Sequence, residues 1–185
     1  MARNTVSRSL HDLGLAAWFG GTLANAVALN AAAGAPNKGR DRGAVVNTGW
    51  DRWTPVNAVA IGAHLVGGAG VLSANKGRVA GQRGVASMTV VKLSLTGAAL
   101  GATGYARLLG RKVSEQTNVP VASGTEPSQA TPPEVAAAQK QLRILQWAIP
   151  ALTGAMLVVN SFAGEQQRSN QAVRGVIERV TGHSS

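Results

Sequence analysis

The sequence predicts an all-α protein: a four-transmembrane-helix bundle with a long polar loop between helices 3 and 4 and a short amphipathic helix at the C-terminus. Three observations predict it. Four stretches of 21 to 23 residues contain a single charged side chain, Lys92. Hydrophobic residues make up 45% of the 185 residues and charged ones only 14%, against roughly 25% in soluble domains. All remaining charges lie in the connections and the two terminal segments.

The four stretches are the predicted spans of a single membrane domain, residues 1–185. About 20 residues of helix cross a hydrocarbon layer of about 30 Å. A soluble bundle is the competing interpretation, because the mean hydropathy is only +0.06. Such a bundle needs charged outward helix faces, and three of the four stretches have none. The predicted segments are spans 13–35, 54–75, 84–106 and 144–164, a polar loop over 107–131 and a C-terminal tail over 165–185.

The first span also has features of a cleaved signal peptide. Arg3 and Arg8 precede it, and small residues end it at 31–33. Against this interpretation, Asp12 stands at its start, Asn25 lies inside it, and its length exceeds the 7–15 residues of a signal-peptide core. We therefore expect a retained span, with cleavage as the alternative.

Tryptophans mark the predicted ends of the second and fourth spans. Trp50 and Trp53 precede the second span and Trp147 opens the fourth, where aromatic side chains anchor helices at the membrane surface. The short basic connection 76–83 predicts that the second and third spans form an antiparallel hairpin.

The fourth helix is predicted to begin outside the membrane and the tail to form a helix of its own. Thr131 is expected as the N-cap of that fourth helix and Pro132 as its first residue. The preceding loop, with Pro120 and Pro127, is typical of an extended or mobile surface segment. In the tail, one helical face would carry Val173, Val176, Ile177 and Val180.

A few polar side chains fall inside the spans and are candidates for a role within the membrane. Lys92 lies eight residues into the third span, so it must reach the surface, line a wet cavity or pair with a carboxylate, for which Asp12 and Glu165 are available. His64 and Asn25 are predicted to lie at similar depth and to form a hydrogen-bonded packing pair.

Small residues recur at the four-residue spacing that lets two membrane helices approach closely. The tetrapeptide Leu-Thr-Gly-Ala occurs at 95–98 and at 152–155, which suggests equivalent packing in the third and fourth spans. The predicted packing residues are Gly97 with Gly101, Ala63 with Gly67, and Gly70 with Ala74.

The sequence predicts no enzyme, no metal site and no cofactor. Cysteine is absent, and no phosphate-binding loop, nucleophile elbow or zinc-protease motif occurs. His11 is expected at the membrane edge, His64 at the centre and His183 in the tail, so the histidines should not converge on a metal. The net charge of +10 is spread over all connections without interleaved aromatics, which favours anionic lipid over nucleic acid as its partner.

The first span resembles one known family. A histidine, His11, is followed seven residues later by Trp18-Phe19-Gly20-Gly21, as in the first helix of CopD-like four-helix bacterial membrane proteins and their uncharacterised relatives. The resemblance implies a bacterial inner-membrane bundle and, for the CopD branch, copper handling. This chain lacks the Met and His clusters of that branch, so only the architecture, His11 and Trp18 carry over.

These observations predict a non-enzymatic accessory or assembly subunit of a larger membrane complex, or a self-associating protein, in contact with the lipid bilayer. The alternative is a small transporter or channel component with a polar path lined by Lys92, His64 and Asn25. Both termini fall on one side of the membrane, and we expect that side to be the cytoplasm, although basic residues are evenly divided between the two sides.

Overall fold

The all-α prediction is confirmed. The computed structural model describes residues 4–116 and 119–181, with side chains described as far as residue 164 apart from residue 83. The helices are α1 (Thr5–Ala32, containing a π-helical turn over Asn25–Leu29), α2 (Gly39–Ala74), α3 (Lys76–Gly81), α4 (Arg83–Ser114) and α5 (Pro133–Thr181). Four of them, α1, α2, α4 and α5, are long and apolar enough to cross a membrane.

The helices extend beyond the predicted spans. α2 begins at Gly39, well before the apolar stretch at 54, and α4 continues to Ser114 through the first part of the predicted loop. Asp41 lies in the first turn of α2, and Arg111 and Lys112 lie in the last turn of α4, where each charge is favourable to the helix dipole. The apolar run therefore defines the membrane-spanning part of a helix but not its ends.

The predicted hairpin of the second and third spans is wrong. α1 packs against α2 and α5, and α4 packs against α5, whereas α2 and α4 are not packed together. Their connection contains the short helix α3, which allows them to separate. Because α1 and α5 occupy the middle of the bundle, a cleft is left between α2 and α4.

α1 and α2 approach so closely that their contact requires glycine. A Cβ added to Gly67 would lie closer than 3.0 Å to backbone atoms of Ser7 and His11, and one added to Gly14 would meet the backbone of Ala60 and His64 in the same way. Gly70 lies against the Ser7 side chain. Gly67 and Gly70, two of the predicted packing residues, therefore lie at the contact of α1 with α2.

The core joins all four long helices. Its fully buried centre is Leu15 and Trp18 of α1, with Ala99 of α4 and Met156 of α5 around them. The indole nitrogen of Trp18 donates to Thr103 Oγ1 at 3.3 Å, which ties α1 to α4. Partly buried side chains surround this centre: Ile61, Leu95, Leu100, Leu152 and Leu157.

The loop before α5 is folded over one end of the bundle. The backbone N–H of Val121 donates to the Gly39 carbonyl at 3.2 Å, and that of Gly124 donates to the Asn30 carbonyl at 3.3 Å. Thr131 Oγ1 donates to the Pro120 carbonyl at 2.6 Å. Thr131 thus fastens the loop, and α5 begins at Pro133, so the predicted cap at Thr131 and start at Pro132 are wrong by one residue.

The backbone of α5 continues as helix through Thr181, so the tail is part of α5 and the predicted separate C-terminal helix is wrong. The predicted apolar face of the tail concerns side chains outside the described ones, as does any pairing of Glu165.

Candidate ligand-binding cavity

The cleft between α2 and α4 forms a partly open cavity of about 330 Å³. Its walls are α2 and α4, while side chains of α1 and α5 form its floor and the folded loop closes one end. Small residues on both walls leave it open, because Ala58, Gly104 and Gly110 place little side chain in the cleft. The lining includes Thr22, Asn47, Trp50, Trp53, Asn57, Ile61, Leu100, Thr103, Arg107, Thr125, Gln146 and Ile149.

Polar contacts cross the cleft at its loop end. Ser114 Oγ donates to Asn47 Oδ1 at 3.2 Å, and the Arg107 guanidinium lies 3.9 Å from the Asp51 carboxylate. No equivalent bridge joins α2 and α4 at the other end among the described side chains. Polar contacts therefore join α2 and α4 at one end of the cavity, and apolar side chains line the other end.

A buried network around Asn30 holds the loop end of the cavity together. Asn30 Nδ2 donates to Gln146 Oε1 at 2.8 Å, and Trp50 Nε1 donates to Asn30 Oδ1 at 3.2 Å. Thr125 Oγ1 also donates to Gln146 Oε1, at 3.4 Å. Asn30 directly follows the π-helical turn of α1, and such turns change the direction in which the next side chains project and are frequent at functional sites. The network joins α1, α2, α5 and the loop.

Two polar atoms of cavity-lining residues are buried without a partner among the described residues. They are the indole Nε1 of Trp53, a donor, and the amide Oδ1 of Asn57, an acceptor. The two residues are one helical turn apart on α2, so they share a face. An unpaired buried polar group costs about 1–3 kcal/mol, and neither atom has accessible surface toward the cavity.

Trp50 and Trp53 are half-buried, and their rings turn toward α1. The Trp53 ring occupies the space beside Gly21, where any Cβ would overlap it, and the Trp50 indole is held by Asn30. Trp147 is 52% exposed, as expected of an anchor. The distance of a tryptophan from a predicted span boundary does not show whether its ring points into the bundle or away from it.

His64 pairs with His11 and not with Asn25. The two imidazoles stack with centroids 4.1 Å apart, and each Nδ1 lies 3.0 Å from the backbone carbonyl of the other histidine. Asn25 instead donates to the Gly21 carbonyl of its own helix at 2.8 Å. The predictions that His64 bonds Asn25 and that His11 and His64 lie apart are both wrong.

A repeated pattern in the sequence could have revealed this contact. Asparagine, a small residue, histidine and glycine follow one another at the same spacing in both helices. Because α1 and α2 are antiparallel, the two copies face each other about a local twofold axis, with each glycine admitting the other helix. The copies are Asn4, Ser7, His11 and Gly14 in α1, and Asn57, Ala60, His64 and Gly67 in α2.

The geometry of the histidine pair is that of a packing contact and not of a metal site. Since a carbonyl can only accept, each Nδ1 carries the proton. The rings lie only 18° from parallel, so the in-plane Nε2 lone pairs do not converge on a common ion. Among the described residues, no group of three His, Cys, Asp or Glu side chains is placed to hold a metal.

The other predicted intramembrane and packing residues lie outside the cavity. Lys92 is half-buried on α4, and Asp12 is close enough for its charge to act on the ammonium, but no ion pair joins them within 4.0 Å. Gly97 and Gly101 face open space, so their predicted helix contact is absent within the described chain. Ala63 is half-buried and Ala74 is exposed.

Comparison with protein-family models, with curated proteins and with solved structures gives no match for this chain. The resemblance to CopD-like proteins therefore rests on the residues of the first helix and on the number of spans.

Proposed function

We propose that the protein is a non-enzymatic multi-pass membrane protein that binds a small lipid-soluble molecule in the cavity between α2 and α4. The observation that carries this proposal is a mainly apolar cavity between two helices that are each long and apolar enough to cross a membrane. The volume of about 330 Å³ lies at the lower end of the range for small-molecule sites, about 300–1,000 Å³. Because the cavity opens between two spanning helices, its occupant enters from the bilayer.

Filling the cavity is expected to prevent binding. Gly104 lines it, and a Cβ there meets nothing within 4 Å, so Gly104→Phe places a ring in the cleft without a backbone clash. The probes are dibromostearic acid and its methyl ester, whose bromines quench the fluorescence of Trp50 and Trp53 in phosphatidylcholine nanodiscs. We expect Gly104→Phe to weaken saturable quenching by about tenfold or more.

The matched control is Gly97→Phe, on the same helix and facing open space, but away from the cavity. It should bind both probes like the unmodified protein. If the unmodified protein quenches no more than Gly104→Phe with either probe, the proposed function is wrong.

A second candidate function is that of an accessory subunit or a self-associating protein, which docks a partner helix on α4. Only 6% of the most apolar window of α4 is buried, the smallest share of the four spanning helices. Gly97 and Gly101 lie on its open surface, at the spacing of close helix pairs.

Replacing both Gly97 and Gly101 by Leu tests the docking function. Crosslinking in native membranes should then lose its dimer or partner band, because leucine prevents close backbone approach. Gly62→Leu, at a glycine of α2 that also faces open space, should keep that band. An unchanged band in the double variant would exclude docking through this face.

The transporter alternative requires Lys92, His64 and Asn25 to line one path. None of the three lines the cavity, and His64 is only 2% exposed in its pair with His11. Binding is therefore better supported than transport along those residues. We place the protein in a bacterial inner membrane with both termini in the cytoplasm, and the loop that closes the cavity on the opposite side.

A further inference from the structure

The charge of the cavity lining points to the chemistry of its occupant. Arg107 is the one charged side chain among the lining residues, and no Asp or Glu is among them. A guanidinium that faces a largely apolar cleft attracts an anion more strongly than the same group in water. The cavity is thus suited to a negatively charged group.

The donors of Arg107 are available to such a group. Its contact to Asp51 measures 3.9 Å, and the two side chains are 40% and 63% exposed. A charge-assisted hydrogen bond measures about 2.7–2.9 Å, so Asp51 stays near the guanidinium without bonding to it. Among the described residues, Arg107 forms no side-chain hydrogen bond, and an anion could therefore replace Asp51 at little cost.

Arg107 lies midway along the part of α4 that lines the cavity, between the loop end at Ser114 and the apolar end at Leu100. Arg111 and Lys112 follow it on α4, and Asp51 and Arg52 lie at the same level of α2. Leu100, two helical turns away, is about 10 Å deeper along α4, and together with Ile61 it lines the apolar part of the cavity. From Arg107 toward Leu100 the lining therefore changes from charged to apolar, which matches an amphiphile with a charged head and an apolar tail.

We propose that the occupant is a single-chain amphiphile with a carboxylate head, of the fatty acid class. The carboxylate binds Arg107 and the chain extends toward Leu100 and Ile61. A cavity of about 330 Å³ suits one acyl chain. This inference rests on the proposed function.

Neutralising Arg107 separates recognition of the head from occupation of the cavity. In the nanodisc assay at alkaline pH, Arg107→Gln should bind dibromostearic acid about tenfold more weakly, since a charge-assisted contact is lost. Binding of the methyl ester should not change. Arg107→Lys should restore part of the affinity for the acid, and thermal unfolding of both variants shows that the fold is kept.

The matched control is Arg143→Gln. Arg143 lies at the same end of the bundle, is 65% exposed, and contacts Glu126 outside the cavity lining; its loss should leave both probes unaffected. If acid and ester bind equally well and Arg107→Gln changes neither, the carboxylate inference is overturned while the binding function stands. If neither probe binds above the Gly104→Phe background, both proposals fail.

Discussion

Gly67→Ala is expected to destabilise the protein by about 2–3 kcal/mol, although alanine is the better helix former. A Cβ at this position would overlap the backbone of α1 at Ser7 and His11, and backbone cannot move aside as a flexible side chain can. The two helices must separate, which also lengthens the hydrogen bonds of the histidine pair. Unfolding of the purified protein with SDS, followed by circular dichroism, measures the loss.

Gly62→Ala is the matched control, because Gly62 lies on the same helix and a Cβ there meets nothing within 4 Å. Helix propensity alone then predicts a gain of up to about 1 kcal/mol. Equal stability of Gly67→Ala and Gly62→Ala would contradict the close crossing of α1 and α2.

His64→Ala is expected to cost about 2–4 kcal/mol of stability. The side chain is 2% exposed, stacks on His11, and donates to the His11 carbonyl at 3.0 Å. Its removal leaves a void at the centre of the α1–α2 contact and one carbonyl without its additional bond. The same SDS unfolding measurement applies.

A double-mutant cycle with His11→Ala tests whether the pair acts as a unit. Residues in direct contact couple by about 0.5–3 kcal/mol, so the double variant should lose less stability than the two single losses added together. Additive losses would show that the rings contribute separately. Because neither histidine lines the cavity, binding of the bromolipid probes should survive in His64→Ala under conditions where it remains folded.

The depth of a side chain was the least predictable feature of the site. Counting residues from the ends of the uncharged runs puts His11 and His64 at different depths in the membrane, yet the two rings stack on each other. α1 and α2 both extend beyond those runs, so the distance to a charged residue does not measure the position along the bundle. The repeated Asn, His and Gly spacing did contain the information, since equal spacing on antiparallel helices brings like residues together.

The same tetrapeptide has different neighbours in two different helices. Leu-Thr-Gly-Ala occurs in α4 and in α5, but Gly97 faces open space while a Cβ on Gly154 would lie 3.1 Å from the Phe19 ring. Trp53 likewise stands at a predicted membrane boundary and turns inward onto Gly21. A residue's neighbours depend on which helices share a contact, and no pattern within one helix specifies that.

The sequence by itself determined the helical class and the four apolar spans, because transfer into lipid depends on the length and charge of each segment separately. The tertiary structure alone decided that α2 packs on α1 and leaves α4, that the histidines meet, and that Arg107, Trp53 and Asn57 share one cavity. Those features arise from contacts between segments distant in the chain, where close packing at Gly14 and Gly67 outweighs proximity in sequence.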